Sequence, residues 1–174
     1  MKKLFALALA LCLLCSFALA EEEVPTLNWA DVEDQVKESG SFQQVTFQDV
    51  ATLLYWVPNN MAAIDVNQIQ ADPAPVAVFA TEDGNYSISV FALIIPSLEE
   101  YLNGLSANGT ANFKNVTING IDCVACENEA KNCDILIVPI TDTSVLVYNF
   151  MPLNGDDGWD ATKVAIISSI QVAQ

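Results

Sequence analysis

The chain has 174 residues, with 22 acidic residues against six lysines, no arginine and no histidine. A net charge of −16 repels phosphate backbones and anionic lipid, which argues against nucleic acid and membrane surfaces as partners. Without histidine there is no Ser-His-Asp or Cys-His pair, and no glycine-rich phosphate loop of the G-x-G-x-x-G or G-K-[ST] kind occurs.

The chain opens with Lys2 and Lys3, an apolar run from Leu4 to Phe17, and the small-x-small site Ala18-Leu19-Ala20. This reads as a secretory signal peptide over residues 1–20 with cleavage after Ala20, the apolar run being too short for a spanning helix. Cys12 and Cys15 each follow a leucine, where a lipoprotein signal has a small residue. The remainder has the length of one domain with a single core. It divides into an N-terminal segment over 21–41 and a single α+β domain over 42–174. No later stretch is long and apolar enough to span a bilayer, so the expected product is secreted, or held in the cell envelope.

After the charged start Glu21-Glu22-Glu23, Thr26 or Asn28 can cap an amphipathic helix from Trp29 to Ser39 that Gly40 ends. Trp29, Val32 and Val36 form its apolar stripe. Strands are expected over Phe42–Phe47 and Ala51–Val57, the second stopped by Pro58-Asn59-Asn60. A helical turn follows at Asp65–Gln70. Val76–Thr81 and Tyr86–Ile95 pair through the tight turn Glu82-Asp83-Gly84-Asn85. Ser97 and Glu100 make a capping box for a helix whose inward stripe is Leu98, Tyr101, Leu102 and Leu105. Asn119-Gly120 joins Val116–Ile118 to Ile121–Ala125. The apolar runs Ile135–Ile140 and Val145–Phe150 then flank Thr141-Asp142-Thr143-Ser144, a hairpin. Neither run alternates cleanly, so both faces of its sheet must be covered. Asp160 is placed to cap a last helix from Ala161 to Ile170. Helices bracketing an antiparallel sheet covered on both faces imply an α+β, α/β/α sandwich.

Several phrases carry a family resemblance: L-L-Y-W-V-P-N-N-M at Leu53–Met61, T-E-D-G-N-Y-S-I-S-V at Thr81–Val90, S-L-E-E-Y-L at Ser97–Leu102, V-T-I-N-G-I at Val116–Ile121, and I-I-S-S-I at Ile166–Ile170. With this element order the chain resembles the PsbP-type α/β/α sandwich superfamily, which includes bacterial envelope proteins of the DcrB kind. It looks closest to exported proteins of unknown function from gut-dwelling Gram-positive bacteria. The resemblance covers most of Thr46 to Gln174 and implies a protein that binds a partner and is not an enzyme. It carries over no binding residue.

Two clusters invite a chemical reading. Cys123-Val124-Ala125-Cys126 lies near Cys133. Cys123 and Cys126, three apart on a strand, point to opposite faces. Cys126 and Cys133 fall opposite each other if the chain turns around Glu127–Asn132, and a disulfide between them suits an exported protein. Catalysis by Cys123 and Cys126 would instead need a lowered thiol pKa. Asn154-Gly155-Asp156-Asp157-Gly158-Trp159-Asp160 concentrates oxygen ligands of the kind calcium takes, with Asp156, Asp157 and Asp160 as the metal candidates. It lacks the alternation of an EF-hand. Trp29 and Trp56 read as core residues, while Trp159 sits in a glycine-flanked loop. The expected function is a non-catalytic exported binding or accessory module whose partner is a protein or small ligand. The alternative is an acidic secreted protein that responds to calcium through the Asn154–Asp160 loop.

Overall fold

A computed structural model describes residues 24–47 and 50–173; the secretory leader read over 1–20 lies outside the described residues. The fold is α+β. Its centre is the hairpin of β9 (Cys133–Thr141) and β10 (Ser144–Met151), turned through Asp142 and Thr143. Ile135 and Ile137 face one side of the sheet while Leu136 and Val138 face the other, and all four are buried. Each such side chain is stabilised by about 1.5–3 kcal/mol on leaving water. The runs do not alternate because the strands have no wet face.

Around this hairpin β1 (Thr26–Leu27), β4 (Met61–Ala63), β5 (Ala77–Thr81), β6 (Ser87–Ile94), β7 (Ala111–Ile118) and β8 (Ile121–Asn128) complete a sheet of order β1-β7-β8-β9-β10-β6-β5-β4. It is antiparallel except where β1 runs parallel to β7. Helix α2 (Leu98–Ala107) covers one face. Ser97 caps it by accepting from the Glu100 N–H at 3.2 Å, and Leu98, Tyr101, Leu102 and Leu105 pack onto Ile135, Ile137, Val145 and Val147.

The opposite face is not covered by helix alone. β2 (Gly40–Phe47), β3 (Ala51–Pro58) and β11 (Gln171–Val172) form a second sheet of order β11-β3-β2. It packs with helix α3 (Asp157–Ser168) against the first. Leu53, Tyr55 and Val57, every second residue of β3, belong to this core. The Tyr55 ring meets Tyr148 of β10 edge-on at 5.4 Å. The middle layer is therefore sandwiched by a helix on one side and by a small sheet plus a helix on the other.

The expected helix over Trp29–Ser39 is broken. A 3-10 turn at Trp29–Asp31, a single turn α1 (Glu33–Val36) and another 3-10 turn at Lys37–Ser39 replace it. The breaks fall at Val32 and Val36, β-branched residues with φ −122° and −125°, outside the helical range. Trp29, Val32 and Val36 still turn inward. Gly40 is extended and opens β2 instead of ending a helix.

Two polar side chains lock the layers. Asn119, in the β7–β8 turn at φ 46°, accepts from the Trp29 N–H at 2.9 Å and donates to the Ser168 and Ile170 carbonyls at 2.7 and 2.8 Å. The Ser169 hydroxyl accepts from the Trp56 N–H at 2.7 Å and donates to the Ile166 carbonyl at 2.6 Å. Both are buried or half-buried, so each bond replaces water that cannot reach the site.

Gly40 lies under the Trp56 indole: a Cβ there would fall 2.3 Å from Trp56 Cε2 and 2.4 Å from the Val57 carbonyl oxygen. Gly40→Ala is expected to destabilise the fold by about 1–3 kcal/mol through overpacking. Urea unfolding followed by tryptophan fluorescence measures this, and an unchanged midpoint would refute it.

Candidate functional site

A groove of about 600 Å³ opens between α3 and the β7-β8-β9 end of the large sheet. That size is typical of small-ligand or peptide-anchor sites. Its floor is apolar, with Leu136, Phe150 and Val164 deepest and Leu27, Ala125 and Ile167 on the walls. The strand period explains the floor: Leu136 of β9 and Ala125 of β8 are directly paired and face α3 together. Two positions further along each strand, the same face carries Asp134 and Glu127, so apolar floor gives way to charge at the end of the sheet.

The rim is mostly carboxylate: Glu127, Glu129, Asp134 and Asp160 against Lys114 and Lys163. Lys163, three residues and about one turn beyond Asp160, places its Nζ 2.5 Å from Asp134 and 3.0 Å from Asp160, and donates to the Leu153 carbonyl at 3.1 Å. Its side chain is only 12% exposed, against 28% for Asp134. Burial pulls Lys163 down, but its hydrogen bonds to Asp134 and then to Asp160 outweigh that and leave it above 10.5. At Asp134 burial wins and raises the carboxyl above its usual 3.8, opposed by the bond to Lys163. Both groups stay charged near neutral pH because each holds the other, so Lys163 is already satisfied. The unneutralised charge of the rim is carried by Glu127, which accepts from Asn112 at 2.6 Å, and by exposed Glu129.

Asp156, Asp157 and Asp160 are not gathered into one site. Asp156, not Asp160, caps the last helix, which starts four residues earlier than the sequence suggests. Its carboxylate accepts from the Trp159 N–H at 2.8 Å and from the Tyr86 hydroxyl at 3.0 Å. These bonds hold it below the usual carboxylate range. Burial of Trp159 sets that start: the indole stacks on Tyr86 at 4.9 Å and donates to the Pro152 carbonyl at 2.9 Å. Trp159 thus packs into the core. Asp157 lies in the first turn, exposed, and Asp160 is drawn to Lys163. Among the described residues no group of three or more Asp, Glu, Cys or His is placed to hold a metal ion.

The cysteines divide as their spacing requires. Cys123 belongs to the core under the small sheet and Cys126 to the core under α2, on opposite faces of β8. The expected Cys126–Cys133 disulfide is absent; all three are free, buried thiols. The register gives the reason: Cys126 stands opposite Ile135 and Cys133 opposite Asn128, two residues out of step. Such diagonal neighbours lie about 7–8 Å apart, beyond the usual Cα span of a disulfide. Burial pushes Cys123 and Cys126 up to about 12 and raises Cys133 as well, so none is a poised nucleophile.

The partnership of Asp134 with Lys163 is not visible in the sequence, although Asp160 and Lys163 stand three apart, a spacing that marks helical ion pairs. No family model matches the chain. No curated protein matches it either. Among solved structures it is similar to cyanobacterial PsbP (CyanoP) from Synechocystis sp. PCC 6803, at 15% identity and a TM-score of 0.49 over 76% of this chain and 93% of that one. No helix among the described residues is long and apolar enough to cross a membrane.

Lys163→Met leaves a half-buried carboxylate without its cation, and is expected to cost about 2–4 kcal/mol at neutral pH. Burial raises Asp134 above its unfolded value, so its ionisation costs stability as pH rises through that raised value. Lys163, raised in the fold, adds stability that is present below its unfolded pKa and lost as pH climbs through the folded one. The penalty of the substitution should therefore shrink on acidification, as Asp134 takes up a proton. Chemical denaturation across pH measures it; a pH-independent penalty would contradict the assignment. For the thiols, Ellman's reagent at neutral pH should leave Cys123, Cys126 and Cys133 unreacted in the folded chain and titrate all three in denaturant. Two missing thiols in denaturant would restore the disulfide.

Proposed function

We propose that this chain is an exported, non-catalytic binding or accessory module of the cell envelope or extracellular space, and that the groove beside α3 receives its partner. The observation that carries the reading is the union of an apolar floor with a rim on which carboxylates outnumber lysines. In a chain of net charge −16, such a rim favours a partner that presents basic groups around an apolar face. A basic amphipathic segment of another protein has that chemistry. The resemblance of the sequence to PsbP-type proteins, and within them to DcrB-like and related exported proteins, implies partner binding of this general kind. Burial of the thiols and the lack of histidine favour binding over catalysis. The calcium reading gains less support, since Asp156 and Asp160 are engaged by Tyr86 and Lys163.

The probe is a synthetic amphipathic peptide of lysine and leucine, titrated into the isotope-labelled protein. Chemical shift changes should concentrate at Ala125, Leu153 and Ile167. Glu127→Lys with Glu129→Lys should weaken binding at least about tenfold. Shifts scattered away from the groove, or equal binding of a glutamate-leucine peptide, would overturn the proposal.

A further inference from the structure

The small sheet carries no charge. No Asp, Glu, Lys or Arg occurs in Gly40–Phe47, Ala51–Pro58 or Gln171–Val172, in a chain with 22 acids and six lysines. One border of that sheet is β2, eight residues long and, among the described residues, paired on one side only. Its pairing with β3 runs in one unbroken register from Gly40 opposite Pro58 to Phe47 opposite Ala51.

Exposed strand edges are templates for another strand, and proteins blunt them with short length, lysine, proline or a bulge. Among the described residues, the other strands that end a sheet are so defended. β1 and β11 have two residues each and β4 has three. The part of β7 beyond β1 carries Lys114 and a register shift, with Asn112 at φ 56°. β2 has none of these devices.

The alternation of the ladder identifies the groups that β2 presents. The Asn59 N–H donates to the Ser39 carbonyl at 2.8 Å, so the residues in step with Ser39 (Ser41, Gln43 and Val45) direct their backbone groups to β3. Phe42, Gln44 and Thr46 then direct N–H and C=O away from the sheet, and Phe42 is 40% exposed.

We propose that β2 pairs antiparallel with β2 of a second copy of this chain, Gln44 opposite Gln44 and Phe42 opposite Thr46. The two small sheets then become one continuous six-stranded sheet about a two-fold axis. The charge pattern selects this occupant. Two bodies of charge −16 repel one another over most of their surface, and this strip is where they meet without opposing charges. A glutamine amide both donates and accepts, so Gln44 is complementary to its own copy. Because the opposing force is long-range repulsion, screening strengthens the pairing.

Sedimentation equilibrium of the full chain at ~0.05 M and ~0.5 M NaCl tests this, since the screening length falls severalfold over that range. The expected result is a monomer–dimer equilibrium whose dissociation constant falls about tenfold or more at the higher salt. Gln44→Lys lowers the negative charge of each copy yet sets two ammonium groups face to face. It should raise the dissociation constant at least about tenfold. Gln44→Pro removes the outward N–H and should do the same. Circular dichroism and the melting midpoint report whether each variant stays folded, and Gln44→Lys, at an exposed position, decides alone if the proline disturbs the strand. A chain that stays monomeric at both salt concentrations, a dimer that survives folded Gln44→Lys, or one that this substitution tightens would overturn the proposal.

Discussion

Burial of the β9–β10 hairpin on both faces is the constraint from which the rest of the architecture follows. Ile135 and Ile137 require apolar cover on one side, Leu136 and Val138 on the other, and no single added layer can provide both. Helix α2 answers the first demand with four side chains at helical spacing. The second is answered jointly by β3 and α3, whose buried residues Leu53, Tyr55, Val57, Trp159 and Ile166 come from two distant parts of the chain.

That division also locates the groove. The small sheet lies over β10, where Tyr55 meets Tyr148, while α3 lies toward β8 and β9. Past the edge of α3 the large sheet continues to β7 with only the short β1 beside it. The apolar face of β8 and β9 is therefore incompletely roofed there, and the acids that end those strands rim the opening. Groove and core are one face of one sheet, differing only in what lies above it. The same economy fixes the cysteines: a spacing of three along β8 sends one thiol into each core, where burial keeps both protonated.

Much of the layer structure was legible in the sequence, and what was not has particular physical causes. The hairpins announced themselves through Asp83-Gly84, Asn119-Gly120 and the polar turn at Asp142, because positive φ and compact turns demand those residue types. The helix α2 was readable from Ser97 and its stripe. The N-terminal helix was not, since a stripe at Trp29, Val32 and Val36 is satisfied as well by three separate turns that bury the same side chains. The start of α3 was misplaced because Asp156 and Asp160 are equally good caps in sequence. Only the packing of Trp159 against Tyr86 chooses between them. The thiol pairing failed on register: a shift of two residues across β8 and β9 leaves no local mark. Likewise, the association of Asp134 with Lys163 depends on where α3 lies across the sheet.

Asn119 gives the fold a property that a simple sandwich lacks. One amide receives the backbone just after the first strand and grips the carbonyls that close the last helix. The beginning and the end of the described chain are therefore not independent flaps, each free to peel from its own side. Each holds a different end of the same Asn119 amide, so the β7–β8 turn is a latch shared by both extremities.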